Sequence, residues 1–441
     1  MSNENIAVIG AGPLALITVL ELQKYTNKIT LIHPPQKTLE ESKKPLFSSK
    51  FIQKDRGTKG NVYRKFHPSL EVLQKGTNFV ESPSVGGLSN IWGGICFPHI
   101  EKVDCLKYIN TNEKTEIYSY LISLLRISNT KSKIWQNFEL QKYTENALCV
   151  PPSVARIGSK TWSATSQLHQ LNGVKFIEGE VASIKKVQGL LASEIIRNNH
   201  KQIVSFDRIF VACGPIGDAK IILNTFPKNT SIEIKDSRIE YQLLLKRSKI
   251  NRLENLMTPS KCVYFFKDKR SIESYVQIYP LSKQLIESLP LLRINRFSRN
   301  MVKFLSKYFQ AAIIFYPEYL SRTFIIERNS TGFKSYPGKK LPSNKCINGN
   351  QKMSNLKFKS IGYKPIFLRI KNKPGSGVHS GAFLFKDKFN YGRVPGSKKN
   401  FANLHFVGSS SISQIPVGPI TLSSLTNGIY IVRKVFKDLV K

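Results

Sequence analysis

The run Val8-Ile9-Gly10-Ala11-Gly12-Pro13-Leu14-Ala15 constrains this chain more than any other stretch. An apolar run, Ile6 to Ile9, feeds directly into a glycine turn, and a helical pattern of Leu16, Val19, Leu20 and Leu22 follows. Ile29-Thr30-Leu31-Ile32 then reads as a second strand. This is the β-turn-α-β setting that binds a dinucleotide. Gly10 permits the tight turn. Gly12 lets a pyrophosphate approach the backbone, where the start of the helix stabilises its charge. Pro13 and Leu14 open that helix. Ala15 stands where a third glycine would let helix and strand pack closely. The acid that normally ends the second strand and holds a ribose diol is missing. His33 stands there, before Pro34 and Pro35, and an imidazole can hydrogen-bond a ribose in its place. A βαβ unit that binds no nucleotide is the alternative reading of the motif.

At 441 residues, with 41% hydrophobic and 10% aromatic content, the chain is globular and long enough for one to three domains. No apolar run approaches the ~20 residues that cross a bilayer. The first apolar run is a strand entering a glycine turn with no basic segment before it, so no secretory signal is expected. The cytoplasm is the expected compartment. Cys96, Cys105, Cys149, Cys213, Cys262 and Cys346 show no CxxC spacing, and the seven histidines form no HxxxH or HExxH pair. Neither a metal site nor a disulfide framework is expected.

The charge is strongly basic. There are 67 Lys and Arg against 29 Asp and Glu, a net +38. Residues 331–400 hold sixteen of the basic residues and one acid, Asp387. Such a chain attracts phosphorylated substrates, acidic lipid surfaces or, nonspecifically, nucleic acid. The plain reading is a solvated basic surface. No zinc finger, RNP motif or helix-turn-helix signature supports specific nucleic-acid binding.

Residues 34–80 are polar and lysine-rich, which predicts a loop with short helices. Between Ser84 and Pro98, two GG pairs bracket Trp92, a loop built to approach something flat or phosphorylated. Strands are predicted at 174–184, a hairpin at 190–196 and 202–206, and a buried strand at 208–213 that ends at Gly214 before a helix at 218–223. Further strands are expected at 264–266, 275–279, 311–316 and 323–327. Leu291, Ile294, Phe297, Met301, Leu305 and Tyr308 have helical spacing, with Arg293, Arg296, Arg299, Lys303 and Lys307 on the other faces. Such a helix lies on an anionic membrane or packs on its own sheet. A last helix is expected from Thr421 to Leu439. No internal repeat is present.

Three separated segments agree with one another. The N-terminal fingerprint, the loop at 86–94 and the stretch from 376 together resemble the glucose–methanol–choline family of FAD oxidoreductases. The loop is in the style of pyranose-oxidase-like members. Asn403 to Pro416 resembles the family's closing signature, continued by Gly418-Pro419-Ile420-Thr421-Leu422. Gly377-Val378-His379-Ser380-Gly381 resembles the first active-site histidine segment. The resemblance implies an α/β fold: a Rossmann-like FAD domain with an inserted, mainly antiparallel-sheet substrate domain. It divides the chain into residues 1–225 and 391–441 for FAD and 226–390 for substrate.

The resemblance further implies oxidation of a CH–OH group on a small alcohol or saccharide, with His379 taking the proton. A neutral imidazole suits that task. FAD would meet Gly10, Gly12, Pro13, Leu14, Ala15, His33, Gly86, Gly87, Ser89, Asn90, Trp92, Gly93, the backbone of Val181, Cys213, Gly214, Gly408, Ser409, Pro419 and Ile420. Two departures stand out. Gly408 replaces an aspartate near the pyrophosphate, and the second active-site position falls at Gly418, which has no side chain. Ile91 occupies the place of a histidine that in some members bonds the flavin, so noncovalent FAD is expected. A noncatalytic flavoprotein of the same fold is the alternative. A reductase with two dinucleotide sites would need a second GxGxxG, which the chain lacks.

Overall fold

The computed structural model describes residues 2–35, 66–90, 92, 94–96, 105–129, 147–150, 153–157, 160–226, 228–246, 262–268, 271–280, 308–338, 343–371, 373–377, 379–381, 401–412 and 414–437. Strand β1 (Ile6–Ile9), helix α1 (Pro13–Leu22) and β2 (Ile29–His33) form the expected first unit. β3 (Val72–Gln74), α2 (Thr111–Leu124), β4 (Ile127–Asn129), β5 (Ala147–Val150), β6 (Ser153–Ile157), β7 (Lys160–Thr161) and a short α3 (Ala164–Leu168) lead to β8 (Val174–Glu178). The meander β9 (Glu180–Val187), β10 (Leu190–Arg197) and β11 (His200–Phe206) precedes β12 (Arg208–Val211) and α4 (Gly214–Thr225). Next come β13 (Ser231–Asp236), β14 (Ile239–Lys246), β15 (Cys262–Asp268), β16 (Ser271–Pro280), β17 (Phe309–Phe315), β18 (Arg322–Asn329) and β19 (Gly332–Pro337). The chain ends with α5 (Asn344–Ser360), β20 (Tyr363–Lys371), β21 (His379–Ser380), β22 (Leu404–Phe406) and α6 (Thr421–Lys437).

The central sheet is parallel, in the order β22-β12-β1-β2-β8. Its inner strands are buried on both faces, which is why β1 is apolar throughout instead of alternating. Ile6 and Val8 join one core with α1, α2 and α6. Ala7 and Ile9 join a second core with α4, the meander and strands β13 and β18. The fold is therefore α/β with a five-stranded parallel sheet, and with separate, mainly antiparallel sheets beside it. One of these has the order β21-β13-β18-β19-β3. Another is wholly antiparallel, β20-β14-β17-β16-β15-β5.

Several expectations shift. Residues 72–74 form a strand paired with β19 where loop and short helices are predicted; residues 36–65 lie outside the described residues. The helix expected at 218–223 extends from Gly214 to Thr225, because Pro215 suits its first turn and Asp218 accepts the N–H of Cys213 at 3.0 Å. α5 has no counterpart in the sequence pattern. It is polar and glycine-containing, and it forms because Ser343 caps it and Phe358 is buried against Phe266, ring centroids 5.2 Å apart. The basic stretch at 291–307 lies outside the described residues, as does 438–441.

A buried ion pair binds the first helix to the last. Glu21, 1% exposed, accepts from Nε of Arg433 at 2.9 Å and from Nζ of Lys24 at 2.7 Å. Arg433→Ala leaves Glu21 with only the more exposed Lys24 and should destabilise the chain by roughly 2–4 kcal/mol. Replacing both partners together, Glu21→Leu with Arg433→Met, should cost less than the single change. Urea midpoints at constant slope measure both.

Candidate functional site

Three backbone turns meet at the C-terminal end of the parallel sheet. The first follows β1. Gly10 has φ +127°, and a Cβ there would stand 2.7 Å from the carbonyl oxygen of Ala212 at the end of β12. Only glycine lets the two strands finish side by side. Around Gly12 the geometry is the reverse: no described atom lies within 4 Å of where a Cβ would be. The same is true of Gly214, across from it at the start of α4. Cys213 is exposed between them. α1 starts at Gly12 with no side-chain cap and no acid in its first turn. Its leading N–H groups therefore face an open cradle suited to an anion. Pro13 sits at the first helical position, and Leu14 and Ala15 are buried.

The second turn is the glycine-rich loop. The N–H of Gly86 donates to the carbonyl of Ala11 at 2.6 Å, and a Cβ on Gly87 would lie 3.2 Å from Cα of Gly12. The loop thus closes directly on the first turn. Ser89 and Asn90 hold it to α3: Ser89 Oγ accepts from the N–H of Ala164 at 3.1 Å, and Asn90 accepts from the hydroxyl of Thr165 at 2.8 Å. Nε1–H of Trp92 donates to the carbonyl of Trp162 at 2.7 Å. These side chains have local partners within the loop's own support. Ile91 and Gly93 lie outside the described residues.

The third turn, 408–411, follows β22. Gly408 has φ +76°, and a Cβ there would lie 2.2 Å from Cδ2 of Leu14. The aspartate that the resemblance implies would have to displace the Leu14 side chain from α1 and hold a left-handed φ that side chains other than glycine's rarely adopt. Ser409 N–H donates to Ser424 Oγ at 2.9 Å, and Asn427 donates to the carbonyl of Gly408 at 2.9 Å. Pro419 and Ile420 are half-buried just before α6. Beneath this turn lies Asp218, fully buried, which accepts from Cys213 N–H and is hydrogen-bonded to the hydroxyl of Ser410. One carboxyl therefore joins the start of α4 to the third turn. Burial pushes that carboxyl well above the ordinary carboxylate range.

His379 lies on β21, in register with Asp236 on β13. The N–H of Gly381 donates to the carbonyl of Ser409 at 2.9 Å, which ties this segment to the third turn. Asp236 is completely buried and organises the loop. It accepts the N–H groups of Gly375 and Gly377, each at 2.9 Å, and Nε of Arg322 at 2.7 Å. Nε2 of His379 lies 2.7 Å from the carbonyl of Gly375 and 3.7 Å from Asp236. A carbonyl only accepts, so Nε2 carries the proton and Nδ1 is the accepting nitrogen of the neutral ring. The ring also meets the edge of Phe324, at 5.2 Å.

Gly418, where the resemblance places the second active-site position, packs on an aromatic ring. A Cβ there would lie 3.1 Å from Cγ of the buried Tyr275. Behind it on the same strand face runs a polar ladder, in which Gln277 donates to the hydroxyl of Tyr275 at 3.0 Å and Tyr279 donates to Gln277. Nearby Cys96 is buried and its thiol is pushed up to about 12, so it stays protonated and is no nucleophile. His33 is buried at the end of β2, and Val181 is buried near the start of β9. Asp236, Asp218 and Tyr275 went unnoticed in the sequence. The one available signal was Asp218, a lone acid in the apolar run 216–223. Among the described residues no group of three His, Cys, Asp or Glu is placed to hold a metal ion.

No protein-family model and no curated protein matches the sequence. Many solved chains share the fold. One is the crystal structure of pyridoxine 4-oxidase from Mesorbium loti. It matches with a TM-score of 0.66 over 99% of this chain and 99% of its own, at 12% sequence identity. The likeness is one of overall fold, shared along the whole length of both chains.

Asp218 yields a pH prediction. Its folded carboxyl binds a proton more tightly than the unfolded one does. Its contribution to stability is therefore intact below about pH 4 and is lost as pH rises toward the folded value. Asp218→Asn keeps an acceptor for the N–H of Cys213 and offers Ser410 a donor in place of an acceptor, without the charge. It should raise the melting temperature most at pH 8, and the gain should shrink as pH falls toward 4. Thermal melts across that range read both arms.

Proposed function

We propose that this chain binds FAD noncovalently and oxidises a CH–OH group of a small alcohol or saccharide. The observation that carries this reading is the open cradle over Gly12 and Gly214, faced by an uncapped helix start and closed by two further turns. It is supported by a fold shared with a solved oxidase. The residues that would hold FAD are Gly10, Gly12, Pro13, Leu14, Ala15, Gly86, Gly87, Ser89, Asn90, Trp92, Val181, Cys213, Gly214, Gly408, Ser409, Pro419 and Ile420, with His33 at the ribose end. A bound flavin supplies the hydride acceptor. Residues 226–390 form the substrate part, between the FAD segments 1–225 and 391–441.

His379 takes the proton of the alcohol on Nδ1. Its Nε2–H is held by the carbonyl of Gly375, which sets tautomer and ring plane together. The carboxylate of Asp236, 3.7 Å from Nε2, stabilises the positive charge that the ring gains. Arg322 and two backbone N–H groups keep that carboxylate in place. With Gly418 against Tyr275, no second side chain shares the task at that position.

The second reading is a noncatalytic flavoprotein, and one observation favours it. The imidazole is engaged by Gly375, Asp236 and Phe324, as a residue that only braces its loop would be.

The net charge of +38 favours an acidic substrate or an anionic membrane face. Among the described residues no helix is long and apolar enough to cross a membrane. We place the chain in the cytoplasm.

Acid precipitation should release FAD into the supernatant. A yellow pellet refutes the noncovalent link, and protein that never takes up FAD refutes the flavin. His379→Gln should leave FAD binding unchanged while flavin reduction by an alcohol substrate slows by roughly 10²–10⁴. A stopped-flow rate within a few-fold of the parent's supports the noncatalytic reading. Binding to anionic vesicles should fall steeply with salt. Equal binding to neutral vesicles counts against the membrane face.

A further inference from the structure

A strand-end acid that binds the ribose diol of a dinucleotide is missing from β2, where His33 stands. The fold brings a carboxylate back one strand away. β2 and β8 run parallel, with His33 in register with Glu178. Registered residues of parallel strands project from the same face, and neighbouring strands lie about 4.8 Å apart. Glu178 therefore stands beside the vacant role, at the same level of the sheet.

A cavity of about 420 Å³ opens there, lined by His33, His169, Phe176, Glu178 and Arg197. It holds what a nucleoside needs. Phe176 is 42% exposed, an aromatic wall facing solvent on the edge strand. His33 braces it edge-on, with ring centroids 5.9 Å apart, and is itself fixed by Nδ1–H donating to the carbonyl of Pro34 at 2.8 Å. Nη2 of Arg197 reaches Oε2 of Glu178 at 3.2 Å. A carboxylate has about four lone-pair sites, so this pairing is compatible with hydroxyl donors on the same group.

We infer that Glu178 is the ribose acceptor of this chain, and that the cavity takes the adenosine end of FAD with the adenine against Phe176. This rests on the FAD reading above. The charge arrangement also sets specificity. Arg197 is neutralised by Glu178, and a carboxylate at this position repels a phosphorylated ribose while accepting a free diol. The site thus selects an adenosine whose ribose 2′-hydroxyl is free, although the chain as a whole is basic.

The test is the affinity of apoprotein for FAD and for FAD carrying 2′-deoxyadenosine, followed by flavin fluorescence. The parent should bind FAD more tightly by roughly 10–100-fold, the worth of one hydrogen bond to a charged group. In Glu178→Gln that ratio should fall to about threefold, as expected for a neutral acceptor. His33→Ala removes the brace of Phe176 and not the acceptor, so it should weaken both flavins alike and keep most of the ratio. If Glu178→Gln does not fold, Glu178→Asp keeps the charge on a shorter stem and should give an intermediate ratio. A parent that does not distinguish the two flavins overturns the assignment. So does an undiminished ratio in the Glu178 variants, or its loss in His33→Ala alone. Failure of the parent to bind FAD at all overturns the flavin reading instead.

Discussion

The candidate site depends on how closely the backbone of β1 passes the end of β12. A Cβ at Gly10 would stand 2.7 Å from the carbonyl oxygen of Ala212, so only glycine lets the two strands finish side by side and the next turn fold back over α1. The loop at 84–90 and the turn at 408–411 both pack onto that first turn, one through Ala11 and Gly12, the other through Leu14. A bulkier residue at Gly10 would push β1 away from β12, and the cradle would lose two of its walls at once. The chain's two ends are therefore interdependent. β22 and α6 are needed to complete the surroundings of a turn that lies near residue 10.

Within that frame, substitutions at single positions are coupled across long sequence separations. Gly408 and Leu14 share one volume, so a side chain at position 408 would have to displace the methyl groups of Leu14. Gly418 and Tyr275 form a similar pair, in which a ring from the antiparallel sheet stands where a side chain from the C-terminal segment would have to be.

Buried carboxyls organise the backbone around the site. Asp236 gathers two N–H groups, Arg322 and the neighbourhood of His379. Asp218 joins α4 to the third turn. Each is fully buried, and each has its oxygens satisfied by hydrogen bonds that reach across the chain. In a low-dielectric interior such groups are tolerated only when satisfied in this way, so the turns they hold are confined to one arrangement.

Local pattern in the sequence determined the first βαβ unit, the hairpin at 190–206, the glycine-ended strand at 208–213 and the last helix. In each, apolar period and glycine placement act over a few residues, and the burial they require is met by immediate neighbours. The same local logic marked Gly12 as a place for a close approach. Tertiary structure decided the rest. α5 is a helix because Phe358 has a core to enter, and residues 72–74 are a strand because β19 offers an edge. Asp236, Tyr275 and Glu178 acquire meaning only through register and packing. The physical reason is common to all three: a carboxyl or a ring has no role until the fold sets its partner beside it, and those partners lie on strands far away in sequence.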